Sequence, residues 1–266
     1  MKKILTALLF CLSPVLFAAA GENGGWEQLF NGKDLSGWRV ECKPADKSKV
    51  FWTVEGGTIL CNSIGRKDHD YVWLLCDREY SDFELRLKFQ AYPESQGNSG
   101  LQFRSRYDAT LDNGGWMNGP QVDIQTYSKN NPWRTGLIYD ETHEVKRWIY
   151  PSLPDWKMED KYKPEKYIMK YAGDKDGDGW NELILICKGM HITAIVNGIV
   201  RTDWDATGML DTEAHKKRNV GQSGQFAFQL HKGNQLKIRF KDIEVRKIKA
   251  SDQPNPAKPD SRDNMK

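Results

Sequence analysis

Polar side chains that can form directional hydrogen bonds recur at alternate positions in three short segments of the chain. They are Gln102, Arg104, Gln121, Asp123, Gln125, Gln229 and His231, and the residues between them within each segment are apolar. Alternate residues of a β-strand point to the same face, so each segment would present these groups opposite an apolar face. Amide, carboxylate, guanidinium and imidazole groups recognise hydroxyl and carbonyl groups by geometry. The pattern favours one site built from three strands over the alternative of three ordinary solvent-facing strands.

The elements that would position these residues are β-strands. Apolar and polar residues alternate over 83–90 and 191–196, and Asn197-Gly198 supplies a two-residue hairpin turn. Alternation also runs through 236–241 and then slips by one residue, which predicts a β-bulge near Asp242. No segment has a sustained apolar stripe with a 3.6-residue period. Many short strands separated by Gly, Pro and Asn are typical of an all-β sandwich or jelly roll.

The two ends of the chain differ in composition from the middle. Lys2 and Lys3 precede an apolar run over 4–17 and three alanines, which predicts a signal peptide spanning residues 1–20. We therefore expect an exported protein, periplasmic or secreted, with no membrane span, because the apolar run is too short for one. Residues 251–266 hold three prolines and almost no large apolar side chains, which predicts a disordered tail. One domain over 26–250 is the simplest arrangement of the remainder.

Charge and cysteine content narrow the class of partners. A formal net charge of +3 with interspersed acids and bases argues against nucleic acid as a partner, since such proteins carry a basic face. Beyond the signal peptide, cysteines stand at 42, 61, 76 and 187 with no zinc-motif spacing, and their pairing stays open. Cys187 lies in an apolar strand, where a buried free thiol is expected. The histidines at 69, 143, 191 and 215 are expected at the surface, and the oligomeric state is left open.

Motifs along nearly the whole mature chain resemble those of the 3-keto-disaccharide hydrolase family. The matching segments, in the family's order, are WEQLFNGKDLSGW (26–38), WTVEGG (52–57), NSGLQFR (98–104), WNE (180–182), VNG (196–198), FQLH (228–231) and IRFKDI (238–243). The resemblance implies a concanavalin-like jelly roll of two antiparallel sheets, similar to family-16 glycoside hydrolases. It also implies a glycoside or oligosaccharide substrate in a cleft on the concave sheet.

The segment 121–125 departs from the related family-16 pattern Glu-x-Asp-x-Glu, in which the outer glutamates act as nucleophile and acid/base. Gln121 and Gln125 replace those glutamates, and only Asp123 remains. Retaining hydrolysis needs two carboxyl groups about 5 Å apart, and an amide can neither attack the anomeric carbon nor donate the proton. Ordinary double displacement at this strand is therefore excluded.

A 3-keto sugar, the substrate that the resemblance implies, needs only one base to begin cleavage. The ketone acidifies the C2 proton, so that deprotonation can expel the C1 substituent and water can then add back. Asp123 or His231 would be the base, and Arg104 would be the fixed positive charge beside the enolate oxygen. A divalent metal held by Asp123 and His231 with amide oxygens would serve as well. Sugar, linkage and the choice between hydrolase and lyase stay open, and a non-catalytic carbohydrate-binding module is the alternative to an enzyme.

Further residues complete the expected site. The stretch 136–141 resembles the family's Gly-x-x-Tyr-(Asp/Glu)-Glu, which implies Tyr139 and Glu141 at the cleft rim. The expected substrate-binding residues are therefore Gln102, Gln121, Gln125, Gln229, Tyr139 and Glu141. Separately, Asp174, Asp176 and Asp178 alternate as at the start of a calcium loop, and Glu182 could complete a looser cage. The alternative for that loop is a solvated acidic turn.

Overall fold

A computed structural model describes residues 25–95, 97–126, 132–150, 153–154, 169–175 and 178–249. The predicted signal peptide and tail lie outside these ranges, so both stay predictions. In chain order the described strands are β1 (Glu27–Gln28), β2 (Trp38–Cys42), β3 (Trp52–Glu55), β4 (Thr58–Asn62), β5 (Val72–Tyr80), β6 (Phe83–Ala91), β7 (Asn98–Asp108), β8 (Trp116–Asn118), β9 (Pro120–Gln125), β10 (Ile138–Asp140), β11 (Arg147–Tyr150), β12 (Leu153–Pro154), β13 (Trp180–Lys188), β14 (His191–Val196), β15 (Ile199–Asp205), β16 (Gly224–Leu230) and β17 (Lys237–Lys247).

Helical structure is sparse in these ranges. One α-helix, α1, spans Glu213–Arg218, and 3₁₀ turns span Pro44–Asp46 and Pro132–Arg134. None of the described helices has the length and apolar character needed to cross a membrane.

The strands form two antiparallel sheets. Sheet 1 has the order β15-β14-β13-β6-β17-β4-β3, with β1 paired to β17. Sheet 2 has the order β12-β11-β10-β9-β7-β16-β5-β2, with β8 paired to β7. Neighbours in space are often distant in sequence, as where β16 separates β7 from β5. The predicted all-β jelly-roll sandwich is confirmed.

The main core lies between the two sheets and follows the predicted alternation. On β6 the side chains of Phe83, Leu85, Leu87 and Phe89 are buried. Burying such side chains stabilises the fold by about 1.5–3 kcal/mol each. The four described cysteines are buried free thiols, and Cys187 is among them as expected.

Two local features that the sequence predicts are confirmed. Asn197 and Gly198, with φ of 50° and 76°, form the turn between β14 and β15, as a two-residue hairpin with a positive φ at both positions requires. The pairing of β17 with β6 shifts between Lys241 and Glu244, and Asp242 has a φ of 51°. This is the β-bulge inferred from the slip in alternation.

Sheet 2 is also packed on its face away from the core. A first flank cluster on that face consists of Trp73, Leu75, Trp116, Met117 and Ala227. A second flank cluster consists of Trp133, Leu137 and Trp148. Because β5 and β11 lie on opposite sides of β9 and β7 in the strand order, the two clusters border a central strip of sheet 2.

Candidate functional site

The central strip of sheet 2 is where strand pairing brings the predicted amide and carboxylate groups together. In the pairing of β7 with β9, Gln102 lies opposite Gln121, and Gly100 lies opposite Asp123. On the next strand, Gln102 pairs with Ala227 of the first flank cluster. These side chains therefore share the face of sheet 2 that points away from the core.

Gln229 enters the same strip from β16. It pairs with Trp73 of the first flank cluster, so it lies on the site face rather than in the core. Its Nε2 donates a hydrogen bond of 3.4 Å to Oε1 of Glu141. The strip thus joins residues from β7, β9 and β16 to the segment that follows β10.

Three glutamine side chains in this strip have buried polar atoms without partners. Among the described residues, neither amide atom of Gln102 has a hydrogen-bond partner, and the same holds for Oε1 of Gln121 and of Gln229. Leaving such a group buried and unpaired costs about 1–3 kcal/mol. Amides in this position can bind the hydroxyl and carbonyl groups of a ligand, whose own donors and acceptors would satisfy them.

Asp123 is buried and held in place by an asparagine. Asn98 Nδ2 donates to Asp123 Oδ1 at 2.8 Å and to Gln125 Oε1 at 3.1 Å. Burial raises the pKa of Asp123 from 3.8 to about 6, although the Asn98 hydrogen bond and the charge of Arg134 favour the ionised form. At neutral pH Asp123 is mostly ionised and can act as a base.

Glu141 is the second buried carboxyl group of the site. Burial raises its pKa from 4.5 to about 7, and the charges of Asp123 and Asp140 add to the rise. Lys146 and the Gln229 hydrogen bond act in the opposite direction. We call the central strip, together with the flank clusters that border it, the cleft. Two carboxyl groups with separated pKa values in one cleft are suited to the roles of base and acid.

Aromatic side chains line the side of the cleft that is nearest to β5. Tyr71 stacks on Trp73 with an interplanar angle of 11° and meets the edge of Trp116. Trp116 Nε1 donates to the backbone carbonyl of Glu141 at 2.6 Å, which fixes the chain beside that carboxyl group. Burial raises the pKa of Tyr71, so its hydroxyl stays protonated at neutral pH.

A family model for the 3-keto-alpha-glucoside-1,2-lyase-like domain matches residues 25–246. The chain belongs to this family. The resemblance seen in the sequence is thereby confirmed, and every described residue of the cleft lies inside the matched range. No curated protein matches the sequence.

Two solved structures are similar to this lyase-like domain. A protein from Parabacteroides distasonis ATCC 8503, provisionally called a glycosyl hydrolase, is 20% identical over 85% of this chain and 94% of that one, with a TM-score of 0.51. The carbohydrate-binding module CBM66 from Bacillus subtilis is 14% identical over 79% of this chain and 95% of that one, with a TM-score of 0.45. At this level of identity, the first likeness shows the fold alone.

Arg104 does not join the cleft of the lyase-like domain, contrary to the expectation from alternation. Ser105 pairs with Gln225 and Gln102 with Ala227, so two residues of β7 face one of β16 in a β-bulge. Arg104 has a φ of 49° within this bulge, which turns its side chain out of register with Gln102. Its guanidinium donates to the carbonyls of Ser81, Gly189 and Gly221 and pairs with Asp82 at 3.0 Å.

His231 follows the end of β16 on sheet 2, the sheet that carries Asp123. Its Nε2 lies 3.0 Å from the Tyr71 hydroxyl, and its Nδ1 lies 3.3 Å from Asn234 Nδ2. Asn234 Oδ1 in turn accepts from the backbone N–H of Asn98, which holds Asp123. Burial lowers the pKa of His231 and so favours the neutral ring. His231 is therefore linked to Asp123 through two asparagines.

Tyr139 and Gln125 occupy the margins of the cleft. Tyr139 lies opposite Gln121 in the pairing of β10 with β9, and its ring meets Trp148 edge-on at 5.0 Å. Gln125 lies opposite Asn98 and accepts its hydrogen bond. Glu141, by contrast, is buried and bonded to Gln229 rather than lying at the rim of the cleft.

The metal sites suggested by the sequence stay predictions. Within the described ranges no group of three or more His, Cys, Asp or Glu side chains is arranged to hold a metal ion. Asp174 accepts from the backbone N–H of Tyr171, and Asp178 from that of Trp180, as in a polar turn. Asp176 lies outside the described residues. Loss of thermal stability or turnover in excess chelator would reveal a metal at this loop or beside Asp123.

Sequence reasoning missed Asn98, Tyr71 and the burial of His69 and His215. Asn98 alternates with Gly100 and Gln102, and Tyr71 with Trp73, so alternation could have placed both on the site face. His69 and His215 were both expected at the surface, but both are buried. His215, on α1, lies 3.0 Å from Asp140 Oδ2. No local pattern signals this contact, because its partner is distant in sequence.

Proposed function

We propose that the cleft binds a 3-keto glycoside and cleaves its glycosidic bond by elimination. The observation that carries this proposal is the pair Asp123 and Glu141, two buried carboxyl groups with raised pKa values beside three glutamine amides that lack partners. Membership of the lyase-like family supports it.

The first half of the reaction needs one base and one acid. Asp123 takes the proton from C2, and the electron pair of that bond forms an enolate with the C3 ketone. When the electron pair of the enolate forms a double bond between C1 and C2, the bond between C1 and the glycosidic oxygen breaks. The leaving oxygen takes the proton of Glu141. The products are a 1,2-unsaturated 3-keto sugar and the free alcohol. Each proton transfer by a positioned group contributes about 10²–10⁴-fold to the rate.

Addition of water converts the elimination into net hydrolysis. The oxygen of water bonds to C1, its proton returns to Glu141, and Asp123 gives the C2 proton back. Asp123 is assigned as the base because the Asn98 hydrogen bond and the charge of Arg134 favour its ionised form, and Glu141 as the acid because the charges of Asp123 and Asp140 favour its protonated form. The amides of Gln102, Gln121 and Gln229 would orient the sugar by binding its hydroxyl and carbonyl oxygens.

Two other functions use the same residues and are separable by experiment. Asp123 and Glu141 could act together as the carboxyl pair of a direct glycosidase on unoxidised sugars, since the pair does not depend on the amides at 121 and 125. The aromatic wall and neutral amides would also suit a carbohydrate-binding module without catalysis.

The deciding experiment compares a 3-keto disaccharide with its unoxidised parent, both incubated with mature protein in D₂O. Elimination followed by rehydration places deuterium on C2 of the product, whereas direct hydrolysis leaves the original C2 proton. Asp123→Asn serves as the control for uncatalysed exchange next to the ketone. Turnover of the parent without C2 deuteration supports direct hydrolysis, and binding of both sugars without turnover supports the binding module.

We also propose that the protein works outside the cytoplasm. The basic and apolar composition of residues 1–20 supports export. Cell fractionation and N-terminal sequencing test this, and a mature N-terminus at Gly21 is the expected result.

A further inference from the structure

Arg134 ends the 3₁₀ turn Pro132–Arg134 between β9 and β10, and the residues that follow this turn are hydrogen-bonded to the backbone of Asp123. Leu137 N–H donates to the Arg134 carbonyl at 2.9 Å. Asp123 N–H in turn donates to the Leu137 carbonyl at 2.9 Å, and Gly136 N–H donates to the Asp123 carbonyl at 2.9 Å. The backbone of Asp123 therefore both donates a hydrogen bond to this segment and accepts one from it.

The turn is also anchored from sheet 1. The guanidinium of Arg201 on β15 donates to the carbonyls of Trp133 and Thr135, and Thr202 Oγ1 donates to the Gly136 carbonyl at 2.7 Å. A Cβ at Gly136 would lie 2.6 Å from Arg201 Cβ, so the two segments are in close contact. Bonds from both sheets thus fix the position of Arg134 relative to Asp123.

The Nε of Arg134 is buried and has no hydrogen-bond partner within the described part of the chain. Its Cζ lies 5.5 Å from the ring centroid of Trp148, so the aromatic face supports it without neutralising it. Arg104, in contrast, is saturated by three carbonyls and Asp82.

We propose that Arg134 is a catalytic residue that binds the oxyanion formed at C3 of the substrate. This inference rests on the proposed elimination and gives Arg134 the role that the sequence suggested for Arg104. When Asp123 removes the C2 proton, the bond electrons move to C2–C3 and negative charge develops on the former ketone oxygen. The guanidinium of Arg134, whose Nε–H lacks a partner, binds that oxygen until the electron pair returns and the bond from C1 to the leaving oxygen breaks. The positive charge favours the enolate over the neutral ketone, as an oxyanion hole does.

The location of Arg134 next to Asp123 supports the assignment. Its charge is one of the influences that lower the pKa of Asp123 against the effect of burial. The base must reach C2 of the sugar and the oxyanion donor must reach the oxygen on C3, so the two residues must lie close together. The hydrogen bonds between the turn and β9 hold Arg134 and Asp123 in this arrangement.

The test compares Arg134→Gln and Arg134→Lys with wild-type protein and with Arg106→Gln, using a neutral 3-keto disaccharide. Arg106 bonds Glu79 and the Asn219 carbonyl outside the cleft, so it is a matched control. We expect Arg134→Gln to lower kcat by about 10²–10³-fold with KM changed only slightly, because the charge develops after binding. Arg134→Lys should retain part of the rate, since the charge stays but the planar fork is lost.

The outcomes separate this inference from the proposed function. Wild-type kcat in Arg134→Gln overturns the assignment while leaving elimination intact. A loss confined to KM overturns it too, because it would mean that Arg134 binds the neutral substrate and the transition state equally well. If the wild-type protein fails to turn over the 3-keto disaccharide, the proposed function itself fails. Melting curves of both variants control for folding, and deuterium exchange at C2 should fall in parallel with kcat.

Discussion

The side chain of Gln121 lies across the backbone of Gly100, so close that a Cβ added at Gly100 would be 2.2 Å from Gln121 Cδ. Gly100 pairs with Asp123 in the neighbouring strand and is required there for space. The absence of a side chain at this one position lets the Gln121 amide reach over the middle of the cleft.

Gly100→Ala should therefore impair substrate binding more than folding. The added methyl must displace Gln121, and overpacking of this kind costs about 1–3 kcal/mol of stability. We expect a higher KM and a lower melting temperature, measured by steady-state kinetics and thermal unfolding. The double variant Gly100→Ala/Gln121→Ala should regain most of the stability but not the KM. Recovery of both would show that Gln121 has no part in binding.

The pH dependence of kcat/KM should be bell-shaped with a maximum between the two carboxyl pKa values. Below about pH 6 Asp123 becomes protonated and can no longer accept the C2 proton. Above about pH 7 Glu141 loses the proton that the leaving group needs. Since the two charges interact, the two midpoints belong to the pair. A rate that stays constant from pH 5 to pH 9 would contradict both roles.

The acid role of Glu141 can be separated from the base role of Asp123 by changing the leaving group. Glu141→Gln should lose most activity on a 3-keto disaccharide but little on a 3-keto glycoside of nitrophenol, which leaves without a proton. Asp123→Asn should lose activity on both, because C2 deprotonation precedes departure. Both substitutions are nearly isosteric, so the folded structure should be unchanged. If nitrophenol does not restore Glu141→Gln, the proton comes from another group.

Alternation predicts a site face only where strand pairing is regular. It correctly placed Gln102 and Asp123 on one face, because β7 and β9 pair without interruption from Gln102 to Asn98. It failed two residues later at Arg104, because a bulge with positive φ reverses the direction of the side chain. The bulge at Asp242 shifts the alternation of the apolar residues that follow it, whereas the bulge at Arg104 is followed by Ser105 and Arg106 and leaves no such shift in the sequence.

The fold was predictable from local signals. For Glu141, the second carboxyl group of the site, the sequence predicted a place near the cleft but not its burial. Hairpin turns, alternation and the slip near Asp242 are properties of adjacent residues. The burial of Glu141, which raises its pKa, depends on Gln229 and Trp116, and only the assembled sheet brings these three together. The same holds for Arg134, whose position follows from hydrogen bonds to Asp123 and from Arg201.

Burial of Glu141 should make the stability of the protein fall as pH rises. The folded pKa of about 7 is above the ordinary value of 4.5, so the folded state binds the proton more tightly than the unfolded state does. The contribution is fully present below about pH 4.5 and is lost as pH rises through about 7, with a magnitude on the order of 3 kcal/mol. Glu141→Gln removes this titration. The variant should match wild-type protein at pH 5 and be more stable at pH 8 in denaturant unfolding, whereas an equal difference at both pH values would show that Glu141 ionises normally in the folded protein.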